Sequence, residues 1–251
     1  MTWLHRLAGL CLLPAGLLAL PSLWAGFVAA AVALWATPQG WPFVLAMAPG
    51  VLLARWSSRQ ATWWSTFEHE LTHAVTGIPF LLFPVGFVVT RDRGGLVKQF
   101  TPPLPIFLLP VPLVGAYVSG LAPYSVPLFA FGAALFMEFG EQWAYPLANA
   151  SVLGILVGYH AYSNLHELRH NSAPGVFADA EGNATHGDIA RCGYLVSAVL
   201  VPAVWLGTHG IILTVLARTG VPGLLYWGEG VVRGTLNTTQ HVIGTLVGMS
   251  R

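Results

Sequence analysis

His69 and His73 stand four residues apart, and a glutamate directly follows the first of them, in His69-Glu70-Leu71-Thr72-His73. On a helix, residues at this spacing lie on one face, so both imidazoles can reach a single metal ion. Glu70 then sits near the open coordination position. There it can take a proton from an attacking water and return it to a leaving amine. Neutral imidazole suits zinc, and a catalytic zinc site has three protein ligands and one open position. The competing reading is a polar helix whose histidines only hydrogen-bond within a bundle. That reading must account for Glu68, His69, Glu70 and His73 within six residues of an apolar chain, where each unpaired polar group is costly. The balance favours a metal.

Two histidines leave a third ligand to be found, and the most polar stretch of the chain, residues 164–191, is the place to look. One source is Asp188, in His186-Gly187-Asp188-Ile189-Ala190-Arg191. The other is a second HExxH, His166-Glu167-Leu168-Arg169-His170, which makes His166 and His170 alternative ligands. Its rival reading is a basic cluster where histidine and arginine meet the C-terminus of a helix. His160, upstream in an apolar run, reads as a donor behind the metal ligands or as a satisfied core histidine. His160 and Asn164 are candidate oxyanion donors. Glu68 points off the metal face and reads as a capping or ion-pair residue.

The elements that carry these residues are apolar. Hydrophobic residues make up 55% of the 251 and charged residues 8%, against roughly a quarter charged in a soluble domain. So few charges cannot cover a water-facing surface. The chain reads as one all-α polytopic membrane domain, residues 1–251, with about six transmembrane helices. A span needs about 20 apolar residues. Residues 1–56 hold two or three spans, 57–217 the catalytic core, and 218–251 an interfacial tail with Tyr226 and Trp227 as belt residues. The apolar run after Arg6 resumes at once from Ala25 to Ala36, which reads as a retained anchor rather than a cleaved leader. The net charge of +1 gives no reason to expect a nucleic-acid partner. Cys11 and Cys192, far apart in apolar stretches, read as small buried hydrophobes.

Around the first motif, Ser57 and Ser58 read as N-caps of a helix over 61–76, with Gly77 as its C-cap. Val85–Thr90 and Leu96–Phe100 are short extended runs on either side of Arg91-Asp92-Arg93-Gly94-Gly95, a β-hairpin signal. Further apolar segments run over about 104–122, 125–139, 143–163 and 192–217.

Several stretches together resemble the site-2-protease-like membrane metallopeptidases, in particular a compact bacterial branch. They are Phe67–Ala74 with its HExxH, Gly94-Gly95-x-Val97, Leu121-Ala122-Pro123-Tyr124, and Asp188–Ser197. The resemblance covers about residues 61–200. It implies one zinc per chain, held by His69, His73 and an aspartate whose position falls on Asp188, with Glu70 as general base. It implies a membrane-embedded protein or peptide substrate that unwinds and pairs with a sheet edge at Gly94, Gly95, Leu96 and Val97. It also implies a multi-pass protein of a bacterial inner (plasma) membrane. Two departures stand out. His186-Gly187-Asp188 replaces the usual Leu-Asp-Gly ligand motif, and a polar insertion over about 171–185 precedes it. No PDZ-sized segment is present.

Two other classes use similar residues. A membrane di-iron desaturase or hydroxylase uses several histidine boxes, but no adjacent His-His pair occurs here. A metal transporter or metal-stabilised scaffold needs polar groups spread over several spans, whereas here they cluster.

Overall fold

The computed structural model describes residues 3–59, 63–90, 95–139, 145–171, 177–178, 184–185, 187–217 and 220–249. The protein is mostly helical, with helices α1 (Trp3–Trp35), α2 (Gly40–Arg59), α3 (Trp63–Gly77), α4 (Pro110–Leu121), α5 (Leu128–Phe139), α6 (Pro146–Asn171), α7 (Asp188–Cys192), α8 (Tyr194–Leu216) and α9 (Gly220–Met249). Strands β1 (Phe83–Val89) and β2 (Gly95–Phe100) form an antiparallel hairpin between α3 and α4. A second, two-residue pairing joins β3 (Phe177–Ala178) to β4 (Ala184–Thr185).

Among the described residues, three helices are long and apolar enough to cross a bilayer, at Leu7–Trp35, Ile106–Tyr124 and Tyr194–Leu216. The expected six do not all meet that measure. Helix α2 and the 26-residue α6 have the length, but each carries polar side chains along part of it. Helix α3 has 15 residues and α5 has 12, both short of a span. The N-terminal run is two helices, because Pro14 and Pro21 lie inside α1 without ending it. Interior prolines are tolerated where neighbouring helices satisfy the freed backbone groups.

Helices α2 and α6 pack along each other, as do α1 and α8. In the first pair the backbones touch. A Cβ on Gly50 would collide with the Ile155 carbonyl, one on Gly154 with that of Phe43, and one on Gly158 with that of Met47. Small residues four apart let two helices approach this closely, and the contact is then van der Waals over the whole seam. The largest core cluster lies beside that seam and includes Leu34, Phe43, Ala150, Leu153 and Val157. Helix α9 lies against α1 and α8. Trp227 is half-buried against the core, whereas Tyr226 is exposed.

Three local expectations change. Ser57 does not cap α3; it lies inside α2, its hydroxyl donating to the Ala54 carbonyl at 3.0 Å. The apolar segment expected to end near 163 continues as helix, because α6 runs on through Asn171. Cys11 is exposed, while Cys192 is buried.

Candidate metal centre

Helix α3 presents His69 and His73 on one face, their rings 4.8 Å apart and roughly perpendicular. Asp188 opens α7, which a single residue, Gly193, separates from α8. Gly193 has φ +91°, a conformation that L side chains rarely adopt, so this turn needs a glycine. The turn joins Asp188 to the N-terminal end of α8, where the Ser197 hydroxyl donates to the Ile189 carbonyl at 3.4 Å.

Asp188 Oδ2 lies 3.3 Å from His69 Nε2 and 3.4 Å from His73 Nε2. One ligand atom from each of the three residues lies within 4.8 Å of the others, so the cluster could hold a metal ion. The opposite nitrogens of the two rings are committed elsewhere. His73 Nδ1–H donates to the Ser119 carbonyl at 2.7 Å, and His69 Nδ1 pairs with Glu167 Oε2. Such outer acceptors fix the tautomer, leaving each Nε2 lone pair directed at the centre. Burial alone would push the Asp188 carboxyl up. The charge of His73 and the hydrogen bonds and charge of His69 outweigh burial and hold it well below the usual carboxylate range. The carboxylate therefore needs positive charge beside it, either protons on the imidazoles or one cation among the three groups. With His73 Nδ1–H donating to Ser119 and His69 Nδ1 set against Glu167, the two Nε2 atoms and Asp188 Oδ2 are the three groups that a cation could join.

Glu70 is 8% exposed and lies on α3 beside these groups. Strand β2 begins against it, and a Cβ at Gly95 would collide with the Glu70 side chain. Gly95, Leu96 and Val97 pair with Val89, Val88 and Phe87 of β1, so the hairpin sits with its turn end at the acidic side chain. Gly94 lies outside the described residues. The far end of the hairpin is tied to α3 as well. Gln99 Nε2 donates to the His73 carbonyl at 2.8 Å and to Ser119 Oγ at 3.2 Å, and Ser119 Oγ donates to the same carbonyl at 2.9 Å. One peptide group of α3 thus joins β2 and α4 to that helix.

His160 and Asn164 lie on α6 beside α3, in a small buried polar cavity that also borders His69. His160, 2% exposed, donates from Nδ1 to Glu68 Oε1 at 3.3 Å and accepts from Asn164 Nδ2 at 2.5 Å. Glu68 is an ion-pair residue, as its position on α3 implied. His160 and Asn164 are not among the three clustered ligands. The side chains of His166 and His170 lie outside the described residues.

Three contributors escaped the sequence. Glu167, the central residue of the second HExxH, pairs with His69 and accepts from Ser65 Oγ at 2.7 Å. Tyr124 donates to Asp188 Oδ2 at 3.2 Å and sets its ring against His69. Ser119 acts mainly through its backbone carbonyl. For Glu167 a signal existed: in 160, 164 and 167, spaced i, i+4 and i+7, it extends the polar stripe of His160 down α6. For Ser119 no side-chain pattern could have shown it. No protein-family model, curated protein or solved structure matches this chain.

Proposed function

We propose that the protein is an intramembrane zinc metallopeptidase, a multi-pass protein of a bacterial plasma membrane that hydrolyses peptide bonds of membrane-embedded substrates. The observation that carries the reading is the convergence of three lone pairs from His69, His73 and Asp188 beside Glu70. Zinc bonds of about 2.0–2.1 Å in a tetrahedron require neighbouring ligand atoms about 3.3–3.4 Å apart. The two Nε2–Oδ2 separations, 3.3 and 3.4 Å, are of that length, and all three ligand atoms lie within 4.8 Å of one another. The many exposed large apolar side chains, Leu10, Val32, Leu45 and Leu195 among them, support a lipid surround.

When bound, zinc supplies Lewis acidity, polarising a peptide carbonyl and acidifying a water. Glu70 takes the proton of the attacking water and hands it to the leaving nitrogen. Asp188, held by Tyr124, keeps the third position filled, and Ser119 and Glu167 hold the two imidazoles in orientation. A transmembrane helix hides its carbonyls in its own hydrogen bonds and must unwind before attack. The hairpin end at Gly95 offers backbone for an extended segment within reach of Glu70.

The test is elemental analysis of detergent-purified protein together with cleavage of a fluorogenic peptide containing a marginally stable transmembrane helix. Wild type is expected to hold one zinc per chain, and His69→Ala and Asp188→Ala to lose it. Glu70→Gln is expected to keep zinc while cleavage falls about 10²–10⁴-fold, the usual worth of a general base. Undiminished cleavage by Glu70→Gln removes Glu70 from the role. Zinc held without any Glu70-dependent cleavage points to a scaffold or transporter.

A further inference from the structure

Helix α6 faces α3 with a polar stripe, and its last described partner is Glu167. Both oxygens of that carboxylate are used, Oε2 by His69 Nδ1 and Oε1 by the Ser65 hydroxyl at 2.7 Å. Ser65 is one turn before His69 on α3 and is itself buried, so α3 supplies both the ring to be oriented and the group that steadies the orienting carboxylate. The opposite nitrogen of that ring is the one 3.3 Å from Asp188.

We infer that Glu167 is a positioning residue for the metal centre: it fixes the His69 tautomer and ring plane so that Nε2 faces the ion, and the second HExxH serves the first through its glutamate. This rests on the zinc reading above. A carboxylate on the far nitrogen raises the basicity of a ligating imidazole and removes the ring's freedom to rotate away. His73 achieves the same end with a backbone carbonyl, that of Ser119. A neutral carbonyl that is part of a helix is present whatever the side chain, whereas the charged acceptor on His69 depends on one residue, and so can be removed by substitution.

The experiment is zinc affinity by chelator competition on the full chain in detergent, for wild type, Glu167→Ala, Glu167→Gln and Ser65→Ala, with His69→Ala and Asp188→Ala beside them. Glu167→Ala is expected to weaken zinc by about 10–100-fold. Glu167→Gln keeps an acceptor oxygen without the charge and should fall between Glu167→Ala and wild type. Ser65→Ala should show a smaller loss of the same kind. A Co²⁺-substituted sample gives a readout that general loosening of the fold would not move: the visible d–d bands should shift in Glu167→Ala and return towards wild type in Glu167→Gln. Wild-type affinity and an unchanged cobalt spectrum in Glu167→Gln and Ser65→Ala, with zinc still lost in His69→Ala, overturn the positioning role and leave the metal centre standing. Absence of zinc from the wild type overturns the metal centre, and the positioning role with it. If Glu167→Ala fails to fold, the Glu167→Gln and Ser65→Ala pair decides.

Discussion

Helix α6 meets its two neighbours by opposite means. Along α2 it offers Gly154 and Gly158, and the backbones come into contact, with a hydrogen bond between the Ser57 and Tyr159 hydroxyls at 3.3 Å beside them. Along α3 it offers His160, Asn164 and Glu167, and the contact is made of hydrogen bonds and ion pairs to Glu68, Ser65 and His69. In an apolar surround, helices gain nothing from hydrophobic contact with one another, so close packing and polar pairing are the means left to hold them together. The glycine seam holds mainly by shape, and it carries no buried ionisable pair among the described residues. The polar seam carries buried ionisable groups, each of which is costly unless paired, and it includes His69 of the candidate metal cluster. One helix thus divides its length between a structural half and a half that serves the site.

Substitutions that separate these halves test the division. The largest effect is expected from Gly158→Leu. The side chain would have to displace the α2 backbone at Met47, at a cost of about 3 kcal/mol or more, the upper end for overpacking. Folded yield and the thermal midpoint in detergent should fall together, and zinc content with them. Loss of zinc from a protein of unchanged midpoint would show instead that the glycine seam acts on the site directly.

The polar seam should respond more gently. Glu68→Ala leaves the His160 Nδ1–H without its acceptor in a site 2% exposed, at about 1–3 kcal/mol. Replacing both partners, Glu68→Leu with His160→Leu, should recover part of that loss, because the carboxylate and the imidazole are removed together and only the Asn164 amide loses a partner. Zinc stoichiometry should stay at one in both, since neither residue belongs to the three-ligand cluster. Thermal unfolding and elemental analysis on the same samples check both statements. Zinc lost in the double variant would place Glu68 and His160 nearer the metal chemistry than their contacts indicate.

The smallest effect is expected at a glycine outside either seam. Gly132 on α5 has no atom within 4 Å of where its Cβ would be. Gly132→Ala should therefore lie within about 1 kcal/mol of wild type, on the stabilising side from helix propensity. A large loss there would mean that glycine as such, rather than the α2–α6 approach, supports the fold.

Sequence and tertiary structure each settled a distinct part of this protein. Spacing alone placed His69 and His73 on one face with Glu70 between them, because the helical repeat is a local property that four residues fix. Two short runs rich in valine and phenylalanine about a turn signal pointed in the same way to a hairpin over 85–100, whose strands are Phe83–Val89 and Gly95–Phe100. The apolar composition pointed to helices able to cross a bilayer, although the count of six is not confirmed, because among the described residues only three helices combine the length with the composition. The third member of the cluster could not be read locally. Asp188 and the second HExxH were open alternatives, and Asp188 joins a histidine 119 residues away, a meeting that depends on how α3, α4 and α7 pack. Glu167 illustrates the same limit. Its neighbours in sequence suggested a metal ligand set of its own, yet its partner is His69, across a helix interface. A side chain's face follows from the period of its own helix. What it meets there depends on which helix the rest of the chain brings alongside.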